Sequence, residues 1–342
     1  MPQVKTTIYD IAKELQLTPS TVSRALRDHP RISGKTKKAV KEMAQQMNYQ
    51  QNNVAAALRS GKTNVLGVVV PRLNRSFFSS LVRGIEEVAS QAGYNVMITQ
   101  SNDKSVNEQS NIAALMQAQV DGILASVAMD NQNFQHYQQI VDNQVPLVLF
   151  DRVTDISNAS TVVIDDYLGA YKAVEHLIQQ GYRRIAHFAG VQTLQIYKNR
   201  LRGYRDALED NGLAFDDTLV VQSHLKLEDG TASMRQLLRL DELPDALFAA
   251  SDFAAIGAMQ VLKENGLMIP KDMALVGFMD EPFTSFVEPG LTTVNQLSEE
   301  MGQFAAKIFL EQVNSSGDFV ARKTVLTPRL VVRGSSVKKD DN

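Results

Sequence analysis

Residues 7–27 read TIYDIAKELQLTPSTVSRALR, and this stretch decides the fold of the N-terminal region. Thr7, with Asp10 three residues later, matches the capping box that begins a helix. Thr18 can cap a second helix with Pro19 in its first turn, where the missing N–H of proline costs nothing. Two short helices joined by a tight turn are typical of a helix-turn-helix.

Ser33 can cap a third helix, which completes a small all-α domain. The predicted second helix carries hydroxyls and arginines beside an apolar stripe, and these groups can read base edges in the major groove of DNA. The candidate DNA-binding residues of this domain are Tyr9, Thr18, Pro19, Ser20, Thr21, Ser23, Arg24, Arg27 and Ser33. Two alternatives stay open: Arg24 as a surface ion-pair partner, and Thr21 and Ser23 as solvated helix positions.

The charge of the chain is unevenly distributed. Residues 1–62 contain 11 Lys and Arg against 4 Asp and Glu, whereas the remaining residues contain 24 against 34. A basic end on an acidic body indicates a polyanionic partner for that end alone.

The segment after this domain, residues 54–59, reads VAAALR. Six residues are too few for a stable isolated helix, so we expect the segment to fold only against a partner. A leucine beside an arginine suits a minor-groove wedge next to a phosphate contact. Leu58 could instead be the first core residue of the next domain.

From Asn64 onward, short runs rich in β-branched residues alternate with amphipathic helical patterns, in two blocks. This alternation predicts two α/β subdomains with parallel sheets. Ligands of such sheets lie beyond the carboxyl ends of the strands, so the cleft between the subdomains suits a small molecule. The predicted strands are Val65–Val70, Asn95–Thr99, Gly122–Val127, Val145–Phe150, Thr161–Ile164, Ile185–Ala189, Leu219–Val221, Ala246–Ala249 and Ala274–Gly277.

In order and spacing, Thr7–Ala12, Thr21–Leu26, Asn48-Tyr49 and Val54–Leu58 resemble the lactose-repressor/galactose-repressor (LacI/GalR) family. The resemblance implies a transcription repressor that binds a pseudo-palindromic operator in double-stranded DNA as a homodimer. It also implies that the hinge helices of two protomers pair in the minor groove, where Leu58 opens the central base step. The hinge contacts implied are Asn52, Ala55, Leu58 and Arg59. Gln51 departs from the family, whose members often carry proline there.

The body is similar to the family's core, which is built like periplasmic sugar-binding proteins, so that the match covers roughly residues 6–336. The segments that carry it include Asp151-Arg152, Arg200–Tyr204, Ser251-Asp252, Val276–Phe278 and Leu291–Gln296. The effector contacts implied are Arg72, Phe77, Phe78, Asp151, Arg200, Ser251, Asp252, Phe278, Met279, Asp280 and Gln296. Asp252 could instead cap a helix, Phe78 could be a core residue and Arg200 could lie on the surface.

The resemblance also implies three crossings between the subdomains, expected near residues 162, 293 and 325. The expected domains are 1–50 (helix-turn-helix), 51–62 (hinge), 63–162 with 294–325 (N-terminal subdomain), 163–293 with 326–336 (C-terminal subdomain) and 337–342 (tail). The effector is expected to be a sugar or sugar derivative. Met279 stands where the family commonly has a carboxylate, and Arg72 adds a partner for an anion.

Other classes of protein find little support in the sequence. The chain has no cysteine, and we expect no metal site, no cofactor and no enzymatic activity, because no catalytic or metal-ligand spacing is present. No apolar run is long enough for a membrane span and no leader precedes the basic helices, so the expected compartment is the cytoplasm. A solute-binding protein is the alternative, but it would leave the first sixty residues unexplained.

Overall fold

A computed structural model describes residues 6–49, 61–315 and 319–338 of the chain. The chain divides into two compact units, Met1–Thr63 and Asn64–Asn342, and each is described by itself. The predicted hinge contacts Asn52, Ala55, Leu58 and Arg59 lie outside the described residues and remain predictions.

The N-terminal unit contains three helices, α1 (Ile8–Glu14), α2 (Pro19–Leu26) and α3 (Gly34–Gln46). Each begins at the predicted cap: the Thr7 amide donates to Asp10 (2.8 Å), the Thr21 amide to Thr18 (3.2 Å) and the Thr36 amide to Ser33 (3.1 Å). A small core of buried apolar side chains holds the three helices together, and it consists of Ile11, Ala12, Val22, Ala25, Val40 and Ala44.

The second unit alternates strands and helices along most of its length. Its helices within the described residues are α4 (Ser76–Gln91), α5 (Ser105–Gln117), α6 (Gln135–Asp142), α7 (Asp166–Gln179), α8 (Gln195–Asp210), α9 (Leu227–Leu237), α10 (Asp252–Glu264) and α11 (Ser298–Asn314). Its strands are β1 (Val65–Val70), β2 (Asn95–Gln100), β3 (Gly122–Ala125), β4 (Leu147–Phe150), β5 (Ser160–Ile164), β6 (Ile185–Ala189), β7 (Val220–Gln222), β8 (Ala246–Ala249), β9 (Ala274–Met279), β10 (Thr292–Asn295), β11 (Lys323–Leu326) and β12 (Arg329–Val331).

The strands form two six-stranded sheets, in the orders β11-β5-β4-β3-β1-β2 and β12-β10-β9-β8-β6-β7. All neighbouring pairs are parallel except β10 with β12. We call the first sheet with α4, α5, α6 and α11 the N-terminal subdomain, and the second sheet with α7 to α10 the C-terminal subdomain. The predicted class, a helical domain followed by two parallel α/β layers, is confirmed.

The chain passes between the two sheets three times, after Ile164, after Asn295 and between Leu326 and Arg329. The expected crossings near 162, 293 and 325 fall one or two residues early, inside β5, β10 and β11. The reason is physical: the apolar pattern that marks a strand does not show which of its last residues still pairs with a neighbour.

Two glycines let α4 and α11 pack at backbone distance on the N-terminal sheet. A Cβ placed on Gly84 would lie 2.2 Å from the carbonyl oxygen of Glu299, and one on Gly302 would lie 2.0 Å from that of Leu81. Any side chain at either position would therefore push the helices apart. This contact fixes α4, whose first turn faces the cleft between the subdomains.

Candidate operator-reading surface and effector cleft

The polar face of α2 is exposed and internally ordered. The Thr18 hydroxyl shares hydrogen bonds with the hydroxyls of Ser20 (2.9 Å) and Thr21 (2.8 Å). Arg27 donates to the carbonyl oxygen of Ser23 (3.0 Å) and to its hydroxyl (2.8 Å). These contacts fix the positions of the hydroxyls that could meet base edges, so less entropy is lost on binding.

Arg24 differs from its neighbours on the same helix. It is exposed, and its guanidinium makes no hydrogen bond or ion pair within residues 6–49 or the rest of the described chain. The alternative that it is a surface ion-pair partner is therefore wrong for the described residues. Tyr9, with 68% of its surface exposed, is a second large side chain on this unit that does not enter the core.

A cavity of about 930 Å³ lies between the two subdomains of the second unit. The N-terminal subdomain contributes Arg72 and Phe78 to its wall, and the C-terminal subdomain contributes Ser251 and Met279. These four are the predicted effector residues that face the cavity. Phe78 is also a core residue, because its ring packs edge-on against Phe77 at 5.0 Å.

Asp151 lies at the wall of a second cavity of about 490 Å³, which shares the side chain of Arg152 with the first. Asp151 is 8% exposed, has φ +58° and accepts a hydrogen bond from Ser126 (3.4 Å). Burial raises the pKa of its carboxyl group, although the positive charges of Arg152 and Arg200 oppose the shift. Nε of Arg152 lies 4.0 Å from Oδ2 of Asp151, the oxygen that also accepts from Ser126.

Arg200 is buried beneath the cleft and lines neither cavity wall. Its Nε and Nη2 lie 2.8 and 2.7 Å from Oδ1 of Asp166, and its Nη1 donates to the carbonyl oxygen of Ala250 (2.9 Å). The guanidinium also lies 3.8 Å from the ring centroid of the buried Phe278. The alternative that Arg200 is a surface residue is wrong.

Asp252 is fully buried, and its carboxylate does not cap α10, contrary to that alternative. It accepts hydrogen bonds from the Thr293 hydroxyl (2.6 Å) and the Glu281 amide (2.9 Å). Burial raises the pKa of Asp252 to about 7, although both hydrogen bonds oppose this shift. Through these two hydrogen bonds, Asp252 connects the segments that follow β8 and β9 with β10, behind the cleft.

The chain turns sharply after β9. Met279 has φ +130° and Asp280 has φ +56°, values that residues with a side chain seldom adopt. Because of this turn, Met279 lines the cavity. The carboxylate of Asp280 accepts hydrogen bonds from the guanidinium of Arg333 (2.8 Å) and from the side-chain amide of Asn295 (2.7 Å). Phe77, Phe278 and Gln296 are buried and do not face the larger cavity.

The cavity wall also includes residues that the sequence did not single out, chiefly Arg75, Arg152, Tyr197, Lys226 and Phe253. Arg75 lies between Arg72 and Phe77 in the sequence, and both of these were predicted as effector contacts. The signal that could have identified Arg75 is its place three residues after Arg72, in the same segment. Phe253 directly follows the predicted contacts Ser251 and Asp252 in the first turn of α10, and this adjacency was the signal for it. Lys226 had no such signal, because it precedes α9 and comes to the cleft only through the fold. Within the described residues no helix is both long and apolar enough to cross a membrane.

Comparison with known proteins gives two family matches. Residues 7–52 match the model of bacterial regulatory proteins of the lacI family, and residues 63–331 match that of periplasmic binding proteins and the sugar-binding domain of the LacI family. The chain is 33% identical over 334 residues to the HTH-type transcriptional regulator DegA of Bacillus subtilis, which covers 97% of this chain and 98% of that protein.

A second relative is the ribose operon repressor of Haemophilus influenzae, 30% identical over 96% of this chain and 98% of that protein. Among solved structures, the complex of the transcriptional regulator CelR with cellobiose has a TM-score of 0.73 and 29% identity, and covers 97% of this chain and all of that one. These matches extend over both the helical unit and the α/β unit.

Proposed function

The chain belongs to the LacI family of bacterial regulatory proteins, and from this premise we propose that it is a transcription repressor whose operator affinity is controlled by a sugar or sugar derivative. The observation that carries the proposal is the exposed face of α2, on which ordered hydroxyls and the unpaired Arg24 lie together on a basic unit. Such a face supplies donors for base edges and charge for phosphates.

The named relatives support a regulator rather than an enzyme, because the matched proteins are a transcriptional regulator and an operon repressor over nearly their whole length. The match of residues 7–52 to the DNA-binding family model disfavours a solute-binding protein. Operator DNA lies in the bacterial cytoplasm, and we assign the protein to that compartment on the ground of its function.

We place the effector in the cleft between the subdomains, with Arg72, Phe78, Ser251 and Met279 as direct contacts. Asp151 is an added contact through the adjoining cavity, and Arg200, Asp252, Phe278, Asp280 and Gln296 support the wall from behind. A ligand that touches both subdomains biases their relative arrangement only through its different affinity for the two states. The cellobiose bound in the CelR complex and the ribose operon controlled by the Haemophilus influenzae relative favour a polyhydroxylated molecule.

The proposed homodimer is supported by apolar side chains on the open edge of the N-terminal sheet. β2 is the last strand of that sheet, and on it Met97 is 42% exposed and Ile98 is 36% exposed. Leu73, which follows β1 in the sequence, is 41% exposed. An unpaired edge with exposed apolar residues is a surface that proteins normally cover. A two-fold dimer would also double the base pairs read.

The test is selection of bound sequences from random double-stranded DNA, followed by titration of the best sequence. We expect an inverted repeat and a salt dependence with a log–log slope of about −5 to −9, since roughly 6–10 phosphates would be contacted by a dimer. Sugars added to the complex would then release the DNA or tighten it. Selection of no inverted repeat, or binding insensitive to salt, would contradict the proposal.

A further inference from the structure

The wall of the 930 Å³ cavity carries more positive than negative charge. Five of its residues are cationic and two are carboxylates. The cations are Arg72, Arg75, Lys104, Arg152 and Lys226, and the carboxylates are Asp103 and Asp130. Cations thus outnumber carboxylates on this wall, in a site that the proposed function gives to an uncharged or weakly charged sugar, although Asp151 lies 4.0 Å from Arg152 behind it and Glu281 acts on the charge of Arg75.

The two carboxylates are already engaged. Asp103 accepts from Arg72 at 2.7 Å and from Arg152, and these two arginines hold the pKa of its carboxyl group below the usual value against the effect of burial. Oδ2 of Asp130 lies 3.7 Å from Nζ of Lys104. Neither carboxylate is free to balance a further cation.

Arg75 and Lys226 have no carboxylate within ion-pair distance in the part of the chain that the structure describes. The charges of Glu281 and Asp103 act on Arg75 from a distance, and the hydrogen bond that the carboxylate of Glu281 accepts comes from Ser76. The guanidinium of Arg75 lies 3.8 Å from the ring centroid of Phe253, across the cleft in the C-terminal subdomain. The stack holds the planar fork of Arg75 in place while leaving its N–H donors unused.

We propose that the effector is a phosphorylated sugar, whose phosphate binds the fork of Arg75 with Lys226 or Arg152 as the second cation. This inference rests on the proposed function and adds the chemical class of the effector. A phosphate is close to a dianion at neutral pH, which suits a wall with an excess of cations better than a singly charged carboxylate does. Arginine is the side chain that binds such a group through two parallel hydrogen bonds.

The remaining wall suits the sugar part. Asn102 and Ser251 contribute an amide and a hydroxyl group for sugar hydroxyls, and Tyr197 and Phe78 contribute apolar faces. A cavity of about 930 Å³ is within the range of small-molecule sites and accepts a hexose monophosphate without expansion.

The experiment is calorimetric titration of the full chain with glucose 6-phosphate, fructose 6-phosphate and ribose 5-phosphate. Each is paired with its parent sugar, and gluconate and inorganic phosphate are titrated at the same ionic strength. At least one sugar phosphate should bind ten times or more tightly than its parent sugar and than inorganic phosphate. Arg75→Gln should weaken that binding at least tenfold, and Lys226→Gln should weaken it in the same direction.

The matched control is Arg83→Gln, which removes the same charge from the exposed side of α4, where Arg83 pairs with Glu299. It should change the affinity less than twofold. Equal binding of parent sugar and sugar phosphate, preference for gluconate, no binding of any sugar phosphate at millimolar concentration, or an unchanged affinity in Arg75→Gln would each overturn the inference. Operator binding without ligand is a separate measurement, so loss of the inference and loss of the repressor function can be told apart.

Discussion

Arg200 and Asp166 form a buried ion pair beneath the cleft, with Nη2 of the arginine 2.7 Å from Oδ1 of the aspartate and both side chains 4% exposed. Burial raises the pKa of Asp166 to about 6, although the arginine opposes the shift. The pair joins α7 to α8 at the ends that face the cleft. Arg200 thus lies behind the wall of the cleft, whereas the sequence predicted a direct ligand contact.

Removal of Arg200 should therefore destabilise the protein. Arg200→Ala leaves the Asp166 carboxylate buried without its cation, and breaking such a pair costs about 3–5 kcal/mol of unfolding free energy. Chemical denaturation would measure the loss. Arg202→Ala is the control on the same helix, because Arg202 is exposed and its guanidinium only approaches the ring of Tyr167 at 4.7 Å. Unchanged stability with lost ligand response would show instead that Arg200 binds the effector directly.

Asp252 should give the protein a pH-dependent stability. Its pKa is raised by burial to about 7 from an ordinary value of 3.8, so between these values the folded state keeps a proton that the unfolded state loses. Stability is therefore lost as pH rises through this window. Urea midpoints of wild type and Asp252→Asn from pH 4.5 to 8 should differ by an amount that changes steadily with pH. Parallel curves would contradict the assignment, because the pH dependence from groups distant from Asp252 is common to both proteins and cancels in the difference.

A charge on the open sheet edge should block the proposed dimer. Met97→Glu places a carboxylate among the exposed apolar residues of β2, and its desolvation opposes burial against a second copy. We expect a monomer by light scattering at concentrations where the wild type is a dimer, together with weaker operator binding. Met268→Glu is the control, since Met268 is 52% exposed in the C-terminal subdomain. A dimeric Met97→Glu protein would place the interface elsewhere.

Contacts between residues that are close together in the sequence could be predicted. The caps at Thr7, Thr18 and Ser33 and the strands β1 to β9 could be predicted, because the partners are a few residues apart or share one periodic pattern. The short strands β10, β11 and β12 were not predicted as strands. Partners distant in sequence could not be predicted. Asp165 and Asp166 are adjacent and chemically identical, yet only packing makes the first cap α7 at the Leu168 amide (2.9 Å) and the second pair with Arg200.

The cleft illustrates the same limit. That a cleft lies at the ends of parallel strands followed from the alternation of strands and helices. Which side chains face it did not follow, because Phe253 in the first turn of α10 and Lys226 just before α9 reach the wall at positions that depend on the whole C-terminal subdomain. Met279 faces the cavity because of a positive φ that the sequence does not signal.

Arg24 should carry sequence specificity at the operator. Its guanidinium is exposed and free of partners in the described residues, so it can fork onto a guanine edge without first breaking an ion pair. Arg24→Ala should weaken binding to the selected operator by about 1–3 kcal/mol, or roughly 5- to 150-fold, and relax the preference at one base pair of each half-site. Lys38→Ala is the control, because the side chain of Lys38 is 79% exposed on α3 and lies 3.9 Å from Glu42. Fluorescence anisotropy with single-base operator variants would measure both proteins. If Arg24→Ala weakens all sequences equally and lowers the salt slope by about one, Arg24 contacts a phosphate and the specificity lies with the hydroxyls of α2.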